Sequence, residues 1–459
     1  MNPKIKISRI LHAGYVLECG ETTIAFDPIF ENPFSNNCYA FPNVQFNLDA
    51  VRDLKLDAVF ISHFHDDHCS LESLNLLDRQ TPIYIYCLYD EIPNLIRQLG
   101  FETVVQLKIN SAVDIGNFKI IPRRALDSDV DSLLQVRAAG LNVLNVVDSW
   151  IDSSTMNLLA GEGPWDLIMW PFQTMRELEV ISPRWAAKTE TTLPPEWLEQ
   201  LKILNPKYLI PSSCQFVQES WSWYNNWLFP ISYKQFQQEL GEVLPETEVI
   251  KLNPSQALAL DKDSVTKAEP LKWILPIGNQ DLDYVFEKHL QPPSTAEIAR
   301  KFPALTERQL SEVRSFCTTE ILQRYNGLDA PEDPYFQKDI FWRLTLYDHQ
   351  GISTKYLYRI VANQMQSIES AATISWSTEV PLYKLHRALK SGESLTSMYL
   401  RINDEKLDAE VENRIQTVDI MDDPLIRCLF QGEVGTYQKA QLKKLLAKAD
   451  SVGGMSPAP

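Results

Sequence analysis

Leu56-Asp57-Ala58-Val59-Phe60-Ile61-Ser62-His63-Phe64-His65-Asp66-Asp67-His68 is the stretch whose reading decides the fold. Leu56 to Ser62 is short, apolar and rich in branched side chains, the pattern of a strand buried on both faces. The histidines begin where that strand stops. Two imidazoles separated by one residue can reach a single cation, and Asp67 and His68, opening the next helix, point toward a second position beside it. The chain has seven histidines in 459 residues. Three of them within six residues, beside two aspartates, speak for a site holding one or two divalent metal ions rather than a chance cluster. Imidazole and carboxylate donors suit Zn, Fe or Mn, and donor type alone does not choose among them.

Working outward, residues 5–26 read as two short strands turning at Cys19-Gly20-Glu21, with Asp27-Pro28 ending the second. Residues 48–54 and 70–78 have helical spacing. A strand at 83–87 and a helix at 91–99, stopped by Gly100, repeat the theme. Strands follow at 118–122, 132–136, 141–147, 167–170 and 207–210, with a helix at 195–204 before the last. This alternation makes residues 1–262 one α/β unit. Near residue 262 the pattern becomes charged and aperiodic. Residues 263–450 read as a separate α+β domain with no chemistry of its own, closed by a helix at 433–448, and residues 451–459 as a disordered tail.

The spacing His63-x-His65-x-Asp67-His68 after an apolar strand resembles the metallo-β-lactamase superfamily. The run His12-Ala13-Gly14-Tyr15-Val16-Leu17-Glu18, followed by Ile24-Ala25-Phe26-Asp27-Pro28, is similar to the opening strands of its ascorbate-phosphate lactonase and CMP-sialic acid hydroxylase branch. The resemblance covers about residues 4–230. It implies an αββα sandwich with the metals at one edge. It also implies a bridging aspartate at the end of Leu144-Asn145-Val146-Val147-Asp148, and a last ligand after Asn205-Pro206-Lys207-Tyr208-Leu209-Ile210-Pro211.

Two positions depart from the family pattern. A histidine is expected about twenty residues before the bridging aspartate, where this chain has Asp127-Ser128-Asp129-Val130-Asp131. Either Asp127 or Asp129 is the expected replacement, the alternative being a plain acidic turn. The last histidine is also missing, and Ser212-Ser213-Cys214-Gln215 stands there. Cys214 reads as a buried thiol before it reads as a ligand. His12 is expected near the site as a catalytic or substrate-contacting group, with a satisfied core histidine as the bland alternative. Asp67 is expected to orient the nucleophile, and Asp27 to support a ligand from behind. The aromatic run Trp221-Ser222-Trp223-Tyr224-Asn225-Asn226-Trp227 lines a pocket or packs as core. His289, His349 and His386 are isolated and receive no role.

With 60 acidic against 43 basic residues, the net charge is −17, and no basic stripe occurs. That balance opposes nucleic-acid binding, where phosphate contacts dominate affinity. No apolar run approaches the roughly 20 residues of a membrane span. Seven scattered cysteines and an N-terminus without signal-peptide character point to the cytoplasm. The expected function is a metal-dependent hydrolase acting on a small-molecule ester, lactone or phosphoester. A di-iron oxygenase of the same fold is the alternative, because a carboxylate in place of a histidine hardens the ligand set. No Cys-x-His pair for a Rieske centre occurs. A degenerate, non-catalytic binding scaffold is the third reading.

Overall fold

The computed structural model describes residues 4–185, 190–415, 417–431 and 434–453, and every count below refers to these. The chain divides into two compact units, Met1–Met175 with Glu190–Glu287 and Tyr437–Pro459, and Arg176–Thr189 with Lys288–Thr436.

The strands of the first unit, in chain order, begin with β1 (Ile5–Arg9), β2 (Tyr15–Cys19), β3 (Thr22–Phe26), β4 (Tyr39–Ala40), β5 (Val44–Phe46) and β6 (Ala58–Ile61). They continue with β7 (Ile83–Ile85), β8 (Val104–Gln106), β9 (Val113–Ile115), β10 (Phe118–Arg124), β11 (Ser132–Ala138), β12 (Leu141–Asn145) and β13 (Leu167–Pro171). The last are β14 (Tyr208–Ser212), β15 (Phe216–Val217), β16 (Glu248–Val249), β17 (Ala257–Leu260), β18 (Val265–Ala268) and β19 (Ile274–Pro276). Eight of them form one sheet in the order β18-β17-β1-β2-β3-β6-β7-β8, and seven form a second in the order β16-β14-β13-β12-β11-β10-β9. In each sheet an antiparallel half meets a parallel half: β3, β6, β7 and β8 run parallel, as do β12, β13, β14 and β16.

The sheets share one apolar core. Ala58 and Phe60 of β6 meet Leu167 and Met169 of β13 in it. Val59, Ile61, Ile168 and Trp170 have the opposite parity and are buried too, so both faces of these strands are covered. Trp197, on the helix Pro195–Leu204, packs edge-on against Trp170 with ring centroids 6.1 Å apart. The helix Glu91–Gln98 covers β8 with Ile92, Leu95 and Ile96. The expected αββα sandwich is present.

The second unit is α+β, as expected. Its sheet has the order β22-β21-β20-β23-β24, from β20 (Ile340–Tyr347), β21 (Ser353–Val361), β22 (Gln364–Ser367), β23 (Trp376–Pro381) and β24 (Arg401–Ile402). Its core includes Trp342 and Trp376, whose indole N–H groups donate to Thr378 Oγ1 (2.9 Å) and Asp423 Oδ2 (2.7 Å).

The division at residue 262 is displaced. The β17–β18 hairpin extends the first sheet through β1, and β19 pairs with β5, which keeps the chain in the first unit to Glu287. The closing helix, Thr436–Gly453, contributes Tyr437 onward to the first unit rather than to the α+β domain. It also takes in part of the stretch read as tail; residues 454–459 lie outside the described residues. No described helix is long and apolar enough to cross a membrane.

Candidate metal centre

In open parallel sheets the crevice at the carboxyl ends of the strands is where ligands bind. Here β3 leads into Asp27, β6 leads into His63, and β12 leads through Val146-Val147 to Asp148. β11 runs antiparallel to β12 with Leu134 opposite Asn145. Extending that register three residues sets Asp131 opposite Asp148. Sequence neighbours of the strands thus become spatial neighbours at one edge.

Donor atoms gather in two clusters, each with all atoms within 4.8 Å of one another: His12, Asp67, His68 and Asp148; and His63, His65 and Asp131. In the first, His12 Nε2 lies 3.0 Å from Asp67 Oδ2 and 3.2 Å from His68 Nε2, which lies 3.1 Å from Asp148 Oδ2. In the second, His63 Nε2 lies 3.0 Å from His65 Nδ1 and 3.8 Å from Asp131 Oδ1. Asp148 Oδ1 is 3.9 Å from His63 Nε2. One carboxylate therefore has an oxygen toward each cluster.

The hydrogen bonds behind the clusters fix which ring nitrogens carry lone pairs. Asp27 is fully buried and accepts from Ser62 N–H (2.7 Å), Ser62 Oγ–H (2.7 Å) and His68 Nδ1 (3.0 Å). Ser62 has spent its proton on Asp27, so at 2.9 Å its oxygen receives the Nδ1–H of His63. The free lone pair of His63 is then on Nε2, which faces the other donors. By the same reasoning the Nδ1–H of His68 is held by Asp27, and Nε2 faces Asp148. A buried carboxylate behind a histidine is the usual support for a metal ligand.

A divalent cation fits this donor set. Two donors bound about 2.1 Å from one ion stand roughly 3.0–3.4 Å apart, depending on whether the angle is octahedral or tetrahedral. The ring-nitrogen pairs His63–His65 and His12–His68 stand 3.0 and 3.2 Å apart. Asp131 Oδ1 and Asp148 Oδ1 are buried and accept no hydrogen bond among the described residues. Such orphaned carboxylate oxygens are costly unless a positive charge meets them.

Electrostatics agree. Burial, helped by the neighbouring His68, lowers His63 to about 4, so its ring is neutral at pH 7. Burial is the largest single influence on Asp67 and Asp148 and opposes their charge, yet His68 and His12 together, joined at Asp148 by His63, outweigh it, and both carboxyls lie below their usual range. His68 is raised despite its burial, because Asp148 and Asp67 hold a proton on it where a cation would otherwise sit. Asp131 is pushed up to about 7 by burial and by the charge of Asp148 beside it. Between the ordinary 3.8 and about 7 the metal-free fold binds a proton there that the unfolded chain does not. This group therefore stabilises the metal-free fold as pH falls through 7, and the benefit is lost as pH rises; His63 works in the opposite direction between about 4 and 6.5.

A cation at the His63/His65/Asp131 cluster must expel the Asp131 proton. Its apparent affinity is expected to fall more steeply below pH 7 than above, by an extra factor of about ten per pH unit. Competition with a chromophoric chelator between pH 5.5 and 8.5 measures this. Asp131→Asn should remove the break in slope, and an unbroken slope in the unmodified protein would contradict the assignment of that proton.

Several expectations are corrected. Asp127 and Asp129 are exposed and belong to neither cluster; Asp131 takes the place intended for them. The Asp127 carbonyl accepts the Asp131 N–H (2.8 Å), making a turn that leaves Asp131 at the strand edge, where Ser132 Oγ donates to Ser62 O (2.8 Å). Cys214 joins neither cluster, and burial, with the charges of Asp148 and Asp67 nearby, pushes its thiol well up, so it stays protonated. His12 enters the first cluster as a donor. It has φ +47°, and its carbonyl accepts from Arg9 Nε (3.1 Å) and Nη2 (2.5 Å), while Arg9 Nη1 also reaches Pro211 O (2.8 Å) and Leu252 O (3.1 Å). His12 Nδ1 has no hydrogen-bond partner among the described residues, unlike the backed rings of His63 and His68.

Gln438 and Gln441 carried no signal in the sequence. Gln438 Nε2 donates to Phe64 O (2.8 Å) and Cys69 O (2.9 Å), clasping both ends of the histidine loop. Gln441 accepts from Leu71 N (2.7 Å) and donates to Ser70 Oγ (2.9 Å).

No protein-family model matches the chain, and no curated protein is similar to it in sequence. Solved structures are similar at low identity. Igni18, described as a novel metallo hydrolase from the archaeon Ignicoccus hospitalis, is 16% identical over 56% of this chain and 99% of its own, with a TM-score of 0.38. Isothiocyanate hydrolase from Delia radicum gut bacteria is 14% identical over 57% of this chain and 100% of its own, with a TM-score of 0.41. CmlA, a diiron β-hydroxylase from Streptomyces venezuelae, is 14% identical over 56% of this chain and 54% of its own, with a TM-score of 0.37.

Proposed function

From a metallo-β-lactamase fold that brings seven donor residues to one sheet edge, we propose that the first unit is a metal-dependent hydrolase acting on a small-molecule ester, lactone or phosphoester. The observation that carries this is Asp148, with one oxygen turned toward each cluster. Divalent ions at such a site lower the pKa of water from 15.7 to roughly 7 and polarise the bond under attack. His63, His65 and Asp131 would hold one ion, and His12, Asp67, His68 and Asp148 another, with the second Asp148 oxygen near the first group. Asp27 and Ser62 keep the imidazole lone pairs of His63 and His68 turned inward. Asp67 stays ionised and orients the attacking water as an acceptor. His65 is exposed, which marks the side from which substrate enters.

A second reading has a specific support. Asp131 stands where the family resemblance implies a histidine, and a third carboxylate favours iron or manganese over zinc. A di-iron oxygenase would use the same seven residues. A degenerate scaffold is the poorest fit, because seven convergent donors, with the His63 and His68 rings backed by hydrogen bonds, exceed what a passive fold needs.

Loading metal-free protein with Zn(II), Mn(II) or Fe(II) under anaerobic conditions separates these readings. Hydrolysis of a chromogenic ester or phosphoester without oxygen is expected, falling at least about a hundredfold in His65→Ala. Oxygen uptake by the iron form, with no anaerobic hydrolysis of any ester tried, would replace the hydrolase reading with the oxygenase. Failure to bind any of the three metals would leave the scaffold.

A further inference from the structure

The loop that supplies donors to both clusters is closed by a helix from the far end of the chain. The helix Thr436–Gly453 follows the second unit in sequence, yet from Tyr437 onward it belongs to the first. Between Phe64 and Cys69 lie His65, a donor to one cluster, and Asp67 and His68, donors to the other. Inside that loop the His65 carbonyl accepts from the N–H groups of His68 (3.1 Å) and Cys69 (2.9 Å). The carbonyls at its two ends, those of Phe64 and Cys69, are both met by Gln438 Nε2, at 2.8 and 2.9 Å. An amide nitrogen has two hydrogens to give. Given to both ends, they fix how far apart those ends stand.

Gln441, three residues on, holds the chain that leaves the loop. It accepts from Leu71 N–H (2.7 Å) and donates to Ser70 Oγ (2.9 Å). Ser70 Oγ donates in turn to Glu31 Oε1, which also accepts from Ser73 Oγ (2.7 Å). Glu31 stands four residues past Asp27, the carboxylate that backs His68. The two glutamines are therefore bonded to the loop that carries the donors and, through Ser70, to the segment that supports them. Both are buried, where an unmade hydrogen bond is costly. Lys444 Nζ adds an exposed ion pair with Glu72 (2.6 Å), a contact of the kind that contributes little.

We propose that Gln438 is a positioning residue for both metal clusters, and that docking of the C-terminal helix and cation binding at the histidine loop stabilise each other. Ligands must keep their productive spacing to within about 0.5 Å. A loop pinned at both ends has less freedom to lose when its donors close on an ion, so the docked form binds the ion more tightly. Reciprocity then requires the ion to tighten the helix by the same factor. Among the donors Asp27 touches only His68, whereas Gln438 holds a loop with donors to both clusters, so both cation positions respond to it. The inference rests on the metal reading above and applies whichever reaction the ions support.

Hydrogen exchange of the backbone amides of residues 437–448, with and without saturating manganese, tests this on the unmodified full chain. Exchange there is expected to slow at least about tenfold when manganese binds. Gln438→Met keeps the length of the side chain but donates nothing. It should weaken manganese about ten- to a hundredfold at both positions and abolish the metal-dependent slowing. The visible bands of the cobalt-loaded variant should shift as well, which a loss of packing alone would not cause. Lys444→Ala should leave the affinity unchanged. Helix exchange indifferent to bound manganese would overturn the proposal, and that comparison needs no variant to fold. A Gln438→Met protein that melts lower yet binds manganese as tightly as the unmodified chain would also overturn it, leaving Gln438 a packing residue only. No manganese binding by the unmodified protein would overturn the metal reading itself, and this proposal with it.

Discussion

Asp148→Asn is expected to lower the metal content from two ions per chain to one at most, and to reduce hydrolysis by about three orders of magnitude, or roughly 4 kcal/mol of transition-state stabilisation. Asp148 belongs to the first cluster and also approaches the second, with Oδ2 3.1 Å from His68 Nε2 and Oδ1 3.9 Å from His63 Nε2. An amide keeps the shape but loses the charge and turns one donor face inward. It also relieves the repulsion that raises Asp131, so metal-free Asp148→Asn should titrate Asp131 at a lower pH than the unmodified protein. Elemental analysis after dialysis, with the pH profile of the metal-free form, measures both effects. A variant that retains two ions would remove Asp148 from the bridge.

Asp27→Ala should have the second-largest effect, although Asp27 touches no cluster donor except through His68. Its removal strands three buried groups at once: Ser62 N–H, Ser62 Oγ–H and His68 Nδ1–H. The metal-free fold is expected to lose about 3 kcal/mol or more. Ion affinity should fall ten- to a hundredfold at the His68 cluster, because the ring loses the partner that fixes its tautomer. The His63 cluster should weaken less, since Ser62 remains to receive its Nδ1–H. Thermal melts with and without metal separate the two components. Equal weakening of both positions, or none, would contradict the tautomer assignment.

The His63–His68 run was legible because all its ligands come from one loop after one strand, and a local pattern suffices for that. Asp148 was legible as the polar residue closing an apolar strand. Asp131 was legible in principle. Ala139 and Gly140 both have positive φ, the conformation of a two-residue hairpin turn, and such a turn fixes the register of β11 on β12. Counting back from it leads to Asp131 rather than to Asp127 or Asp129. His12 was legible only as a residue near the site; its place among the donors depends on a left-handed backbone and a buried arginine below it. Gln438 and Gln441 were beyond reach. Their partners lie some 370 residues away along the chain, and a glutamine on an amphipathic helix carries no local signal. The displaced domain boundary has the same origin, since the pairing of β17 with β1 and of β19 with β5 is a long-range fact.

The central claim is that Asp148 joins two cation positions. Anomalous diffraction from manganese-loaded crystals, recorded on both sides of the manganese edge, tests it most directly. Two peaks are predicted about 3.5–4 Å apart, one among His63, His65 and Asp131, the other among His12, Asp67 and His68, with one Asp148 oxygen bound to each. A single peak remote from Asp148, or none at saturating manganese, would contradict it.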